Sequence, residues 1–168
     1  MQNLKETLNQ ISSITEKIKS ISEEKNLMVS TAESCTGGEI AVNLTSLPGS
    51  SSFFDSSIIT YSNSSKIRLL SVSDKTIKKY GAVSEQVVLE MCSGLLVVTN
   101  CDVAVAVSGI MGPGADGSEK DIGTVWLCIK DSNKHTSKIL NLKGNRQENR
   151  LSTVHHALRC LSDFLETL

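Results

Sequence analysis

Apolar residues recur at three- and four-residue steps through Leu4, Leu8, Ile11, Ile14, Ile18 and Ile21, which predicts an amphipathic helix over 4–24. Glu24-Lys25-Asn26 turns the chain into Leu27–Ala32, a short apolar run suited to a buried strand. A glycine-bearing loop, Glu33-Ser-Cys-Thr-Gly-Gly38, leads into a helix over 39–46 that Pro48-Gly49 ends. Ser57–Tyr61 reads as a second strand, followed by short helices over 64–70 and 74–79. Ser84 is a good N-cap with Glu85 in the first turn, and the helix it opens runs to about Thr99. Val103-Ala-Val-Ala-Val107 is continuously apolar, as in a central strand covered on both faces. A long glycine-bearing loop, 108–118, follows it. Residues 122–130 and 135–142 predict a hairpin across Asp131–Lys134, and 146–165 a last helix with a strong helical period.

Helices interleaved with short buried strands predict one α/β domain over 1–168, with the helix of residues 1–25 packed on it. In such folds ligands bind where loops leave the carboxyl ends of strands. The loops 33–38, 61–66 and 108–118 fit that position.

The length, the net charge of −1 and the hydrophobic fraction of 39% suit a soluble domain and offer no basic stripe for nucleic acid. With no signal peptide at the N-terminus and no apolar run long enough to span a bilayer, the expectation is a cytoplasmic protein without a membrane partner. Five scattered cysteines without a CxxC pair argue against both a disulfide framework and structural zinc, so no metal or cofactor is expected.

Candidate chemistry concentrates in hydroxyls and one lysine. The 33–38 loop could bring backbone N–H groups and a helix N-terminus to an anion, although it lacks the Walker spacing and lysine. The stretch Pro48–Lys66 is rich in serine and carries Tyr61 and Lys66. A serine hydroxyl needs a neighbouring base. The three histidines are poorly placed for that, and G-x-S-x-G is absent. A lysine serves instead if burial leaves its amine neutral, with a tyrosine able to relay the proton. The S-x-x-K spacing occurs at Ser22–Lys25, a polar helix end that reads as coincidence. By themselves the residues do not say which serine reacts.

Five ordered motifs carry a family resemblance: "TAESCTGG", "PGSS…TYSN..K", "GAVSE", "SGIMGPG…EK..GTVW" and "GNR...R". From about Thr31 to the last helix the chain resembles the CinA C-terminal-domain family, the nicotinamide-nucleotide amidohydrolases, in a stand-alone form. The resemblance implies a three-layer α/β/α sandwich around a mixed sheet, a homodimer, and hydrolysis of nicotinamide mononucleotide (NMN) to nicotinate mononucleotide and ammonia. It places the catalytic groups on Ser51, Tyr61, Lys66 and Ser108, with Ser51 the nucleophile and Ser108 assisting at the oxyanion. Substrate-binding positions fall on Ser34, Thr36, Gly37, Gly38, Gly49, Ser50, Gly109 and Arg146, the phosphate being held by Arg146 and the 34–38 loop. Ser56-Ser57, Met111, Asp121 and Asn145 depart from the family pattern. A catalytically silent nucleotide- or partner-binding protein, or an amidase for another small carboxamide, are the alternative readings.

Overall fold

The computed structural model describes residues 2–114, 117 and 119–168. In chain order the elements are α1 (Gln2–Lys25), β1 (Val29–Glu33), α2 (Glu39–Leu44), a 3₁₀ turn (Ser50–Ser52), β2 (Phe54–Ile59), α3 (Asn63–Leu70), α4 (Asp74–Tyr80), α5 (Glu85–Val98), β3 (Val103–Gly109), β4 (Thr124–Lys130), β5 (His135–Asn141) and α6 (Arg146–Glu166). The strands form one mixed sheet in the order β2-β1-β3-β4-β5. β2, β1 and β3 run parallel, and β4 and β5 return antiparallel. Among the described residues no helix is long and apolar enough to cross a membrane.

The alternation of β3 explains how both faces of the sheet are covered. Val103, Val105 and Val107 pack with Ile18, Ile40, Leu44 and Leu158, on the side of α1, α2 and α6. Ala104 and Ala106 point the other way and pack with Val88, Met91 and Leu95 of α5. Small residues on that face let α5 lie close to the sheet, whereas branched residues fill the wider space beneath the longer helices. The expected three-layer α/β/α sandwich is the observed fold.

The elements agree with the apolar pattern except at β2. The strand comprises Phe54–Ile59 rather than 57–61, because its polar Asp55-Ser56-Ser57 segment is held by the ladder to β1 and by hydroxyl bonds. Ser56 Oγ lies 3.3 Å from Ser30 Oγ, and Ser57 Oγ lies 2.7 Å from Thr31 Oγ1. Tyr61 therefore stands past the end of the strand, just ahead of α3. Ser118, at the end of the loop predicted over 108–118, lies outside the described residues.

The tightest helix contact fixes α3 against α5. A Cβ added to Gly94 would stand 1.9 Å from the Leu70 carbonyl oxygen, so α5 needs glycine there. Gly94→Ala is expected to destabilise the protein by about 2 kcal/mol or more, because the clash is with backbone. Thermal unfolding would then shift down by roughly 4–8 °C. An unchanged melting temperature would show that the two helices separate freely.

Candidate functional site

The strand ends set the site. Glu33 lies opposite Val107 in the parallel β1–β3 ladder, and the Ser34 N–H continues it by donating to the Val107 carbonyl at 3.2 Å. Ser34 and Ser108 therefore leave the sheet side by side, facing α5 like Ala32 and Ala106 before them. Glu33 points to the opposite face, towards α2.

There its buried carboxylate collects five donors. Oε2 accepts from Thr36 Oγ1 at 2.6 Å, from the Gly38 N–H at 3.0 Å and from the Ile40 N–H at 3.1 Å. Oε1 accepts from the Ala41 N–H at 2.9 Å and from Thr31 Oγ1 at 3.2 Å. An acid at a helix N-terminus satisfies orphan N–H groups and complements the helix dipole. The start of α2 is filled by the protein's own carboxylate: Thr36 Oγ1 and the Gly38 N–H, both expected at the substrate, donate to Glu33. Gly37 supplies the left-handed turn, at φ 66°, and is not among the residues lining the cavity described below.

On the α5 face, Lys66 occupies the second turn of α3. Ser62 caps that helix by accepting from the Ser65 N–H, while Ser65 Oγ accepts from the Ser62 N–H. This aims Lys66 inward, where it is 1% exposed. Lys66 Nζ lies 2.9 Å from Ser34 Oγ and donates to the Thr60 carbonyl at 2.8 Å. The Thr60 N–H in turn donates to the Glu33 carbonyl at 2.8 Å. Serine and lysine are thus closed into a ring through the backbone of residues 33 and 60. Burial lowers the Lys66 ammonium from 10.5 to about 8. The adjoining Cys35 thiol is pushed by burial to about 12, so it is neutral where the lysine titrates and offers it no anion.

Ser34, Lys66, Tyr61, Ser108, Gly109 and Arg146 line one cavity of about 550 Å³ at the carboxyl ends of the parallel strands. Tyr61 is largely exposed, and its hydroxyl accepts from Arg146 Nη2 at 2.9 Å. Arg146 Nη1 donates to the Gly112 carbonyl at 2.8 Å. Asn145 accepts from the Gln147 and Glu148 N–H groups, so the start of α6 is capped and the guanidinium is the cation at the cavity mouth. Among the described lining residues there is no Asp, Glu or His.

Ser51 does not join these groups. It is exposed on the 3₁₀ turn before β2, whereas Lys66 follows the other end of that strand. Six strand residues separate the two ends by roughly 20 Å. Gly49 and Ser50 share that remote turn: Ser50 Oγ donates to the Leu47 carbonyl, and Lys19 of α1 donates to the Pro48 carbonyl at 2.6 Å. Ser51, expected as the nucleophile, and Ser50 and Gly49, expected at the substrate, therefore stand apart from Lys66, and Ser34 holds the place beside the lysine. Ser108 does reach the cavity, and its only proton goes to the Ala82 carbonyl at 2.8 Å.

The sequence reading missed Glu33, Thr60 and the Gly81-Ala82-Val83 wall of the cavity. For Glu33 a signal existed, an acid just ahead of a Gly-Gly helix start. The role of Thr60 is carried by its main chain and has no side-chain signature. Glu33→Gln, which puts an amide NH₂ against backbone donors, is expected to destabilise the fold by about 2–4 kcal/mol in urea denaturation. A loss below about 0.5 kcal/mol would show that the loop does not depend on the carboxylate.

The sequence matches the family model described as the CinA C-terminal domain over residues 11–165. It is 46% identical over 145 residues to the nicotinamide-nucleotide amidohydrolase PncC of Enterobacter agglomerans, covering 84% of this chain and 88% of that protein. A CinA-like protein of Endomicrobium trichonymphae is 44% identical over 82% of this chain, which spans only 32% of that longer relative. The crystal structure of the competence/damage inducible protein CihA from Agrobacterium tumefaciens superposes with a TM-score of 0.89 at 40% identity, covering 94% of this chain and 96% of that one. The chain belongs to the CinA C-terminal domain family.

Proposed function

We propose that the protein is a nicotinamide-nucleotide amidohydrolase that converts NMN and water to nicotinate mononucleotide and ammonia, with Ser34 as nucleophile and Lys66 as base. The observation that carries this reading is the 2.9 Å contact of Ser34 with a buried lysine lowered to about 8. The PncC relative, matched over most of its length, supports the substrate.

In the neutral amine, one N–H stays on the Thr60 carbonyl and the nitrogen lone pair accepts the Ser34 proton. Ser34 Oγ then adds to the carboxamide carbon. The protonated lysine returns the proton to the departing nitrogen, the C–N bond breaks, and ammonia leaves an ester on Ser34. Water, deprotonated by the same lysine, adds to the ester, and the proton returns to Ser34 as the acid is released. A lysine near 8 is roughly one-tenth neutral at pH 7, against about one part in three thousand for an ordinary lysine. No step calls for a metal or a redox cofactor.

Arg146 at the mouth suits the phosphate of the nucleotide by a charge-assisted, bidentate contact. This role replaces the expected one for the 34–38 loop. The same reading takes the protein as a cytoplasmic homodimer working on a small molecule, without nucleic-acid or membrane partners. Sedimentation velocity checks the dimer, and a monomer at assay concentration would remove it.

Ammonia release from NMN by the purified protein tests the activity, and a protein inert across pH 6–10 (roughly the range over which the base titrates) removes the reading. Ser34→Ala and Lys66→Met are expected to lose about a thousandfold or more in kcat, whereas Ser51→Ala keeps the wild-type rate within about twofold. Because the neutral amine is the active form, kcat/KM should rise with pH through a limb near 8 and level off above it. A limb near 10.5 would mean the burial does not act on the base. Arg146→Ala is expected to raise KM for NMN roughly 10- to 100-fold with a smaller change for nicotinamide riboside, which lacks the phosphate. Equal losses for both would take the phosphate away from Arg146.

A further inference from the structure

We propose that Ser108 recognises the carboxamide nitrogen of the substrate and turns away the carboxylate of the product, an assignment that rests on the amidohydrolase reading above. The hydroxyl has one proton, and a carbonyl oxygen can only accept, so the 2.8 Å bond to Ala82 consumes the proton. What remains for the cavity is a pair of acceptor sites. The Ala82 carbonyl is not free to swing away. Lys120 Nζ donates to the carbonyls of Tyr80 (2.8 Å) and Val83, Ser84 Oγ donates to that of Gly81 (2.8 Å), and Ser108 holds the one between. Four consecutive carbonyls, 80–83, are thus each held by a side-chain donor.

Position completes the argument. Ser108 leaves β3 beside Ser34, the two residues following the paired Val107 and Glu33, and both line the cavity. Neighbouring parallel strands lie about 4.8 Å apart. A carboxamide whose carbon is attacked by Ser34 can therefore set its nitrogen against Ser108. One N–H then donates to Ser108 Oγ, which leaves the nitrogen lone pair of the tetrahedral intermediate for the proton that Lys66 returns. Water that replaces ammonia also has an O–H to give to the same acceptor. The product carboxylate has only lone pairs, so its new oxygen faces the lone pairs of Ser108 without a proton between them. Charge alone would favour the opposite preference, since Lys66 and Arg146 both attract the more anionic product.

Two measurements test the assignment. The first compares turnover of NMN with that of the methyl ester of nicotinate mononucleotide, whose leaving oxygen carries no hydrogen. Ser108→Ala is expected to lower the amide-to-ester ratio of kcat/KM by about tenfold or more, while Ser108→Thr, which keeps the hydroxyl, restores it. An unchanged ratio in Ser108→Ala overturns the assignment, because loosening of the cavity wall lowers both substrates alike. The second measurement needs no change at Ser108: Ser34→Ala protein is titrated with NMN and with nicotinate mononucleotide. Binding of the amide at least about tenfold tighter supports the assignment, and equal or tighter binding of the acid overturns it. Wild-type protein that leaves NMN intact overturns the underlying reading, whereas active wild-type protein with an unchanged ratio overturns only the role of Ser108.

Discussion

The buried carboxylate of Glu33 is the contact on which the candidate site depends. Its two oxygens gather the amino end of α2, the side chains of Thr31 and Thr36, and the turn between them. A charged group without exposure to water persists only when hydrogen bonds replace its hydration. The donors that replace it here are those a helix N-terminus otherwise leaves unpaired. The result is a loop with little freedom, and Ser34 is its second residue. Because β1 alternates, fixing Glu33 on one face fixes Ser34 on the other. The anion orders the proposed nucleophile from behind the sheet without lying beside the lysine.

That separation matters for the base. A carboxylate in contact with Lys66 would favour its charged form and undo the lowering that burial produces. Lys66 instead meets a hydroxyl and a backbone carbonyl. Both suit a neutral amine as well as an ammonium, so hydration is lost without a compensating charge. The sheet thus divides the labour, with an ordering anion under one face and a desolvated base over the other. Arg146 completes the arrangement from the mouth, where an exposed guanidinium can meet an anionic ligand and still leave the amine undisturbed.

The apolar pattern carried the fold because helical and strand periods reflect burial, and burial is what the sheet and its covering helices satisfy. The Val-Ala alternation of β3 shows this directly: periodicity identified a doubly covered strand, and residue size distributed its two faces. β2 was less legible, since an edge strand held partly by hydroxyl bonds has no apolar stripe to betray its polar half. Lys66, Tyr61, Arg146 and the glycine loop of Ser34 could be singled out by residue type. Their grouping could not, because it depends on which end of the sheet each reaches. The ring through Glu33 and Thr60 runs through main-chain atoms, which a sequence displays identically at every position.

The separation of Ser51, the expected nucleophile, from Lys66 has the same physical root. Ser51 and Lys66 are close in sequence, but β2 lies between them, and a strand carries its two ends apart at about 3.3 Å per residue. Nearness along a chain that contains one strand is therefore an argument against contact. Ser34, more than thirty positions from Lys66, meets it because parallel strands align their carboxyl ends and the helix after β2 begins at that edge. The hydroxyls gathered there differ in what they can still give. Ser34 keeps a proton that a neutral lysine can take. Ser108 has committed its own to Ala82, and Tyr61 accepts from Arg146. Reactivity follows from that inventory of protons rather than from the abundance of serine.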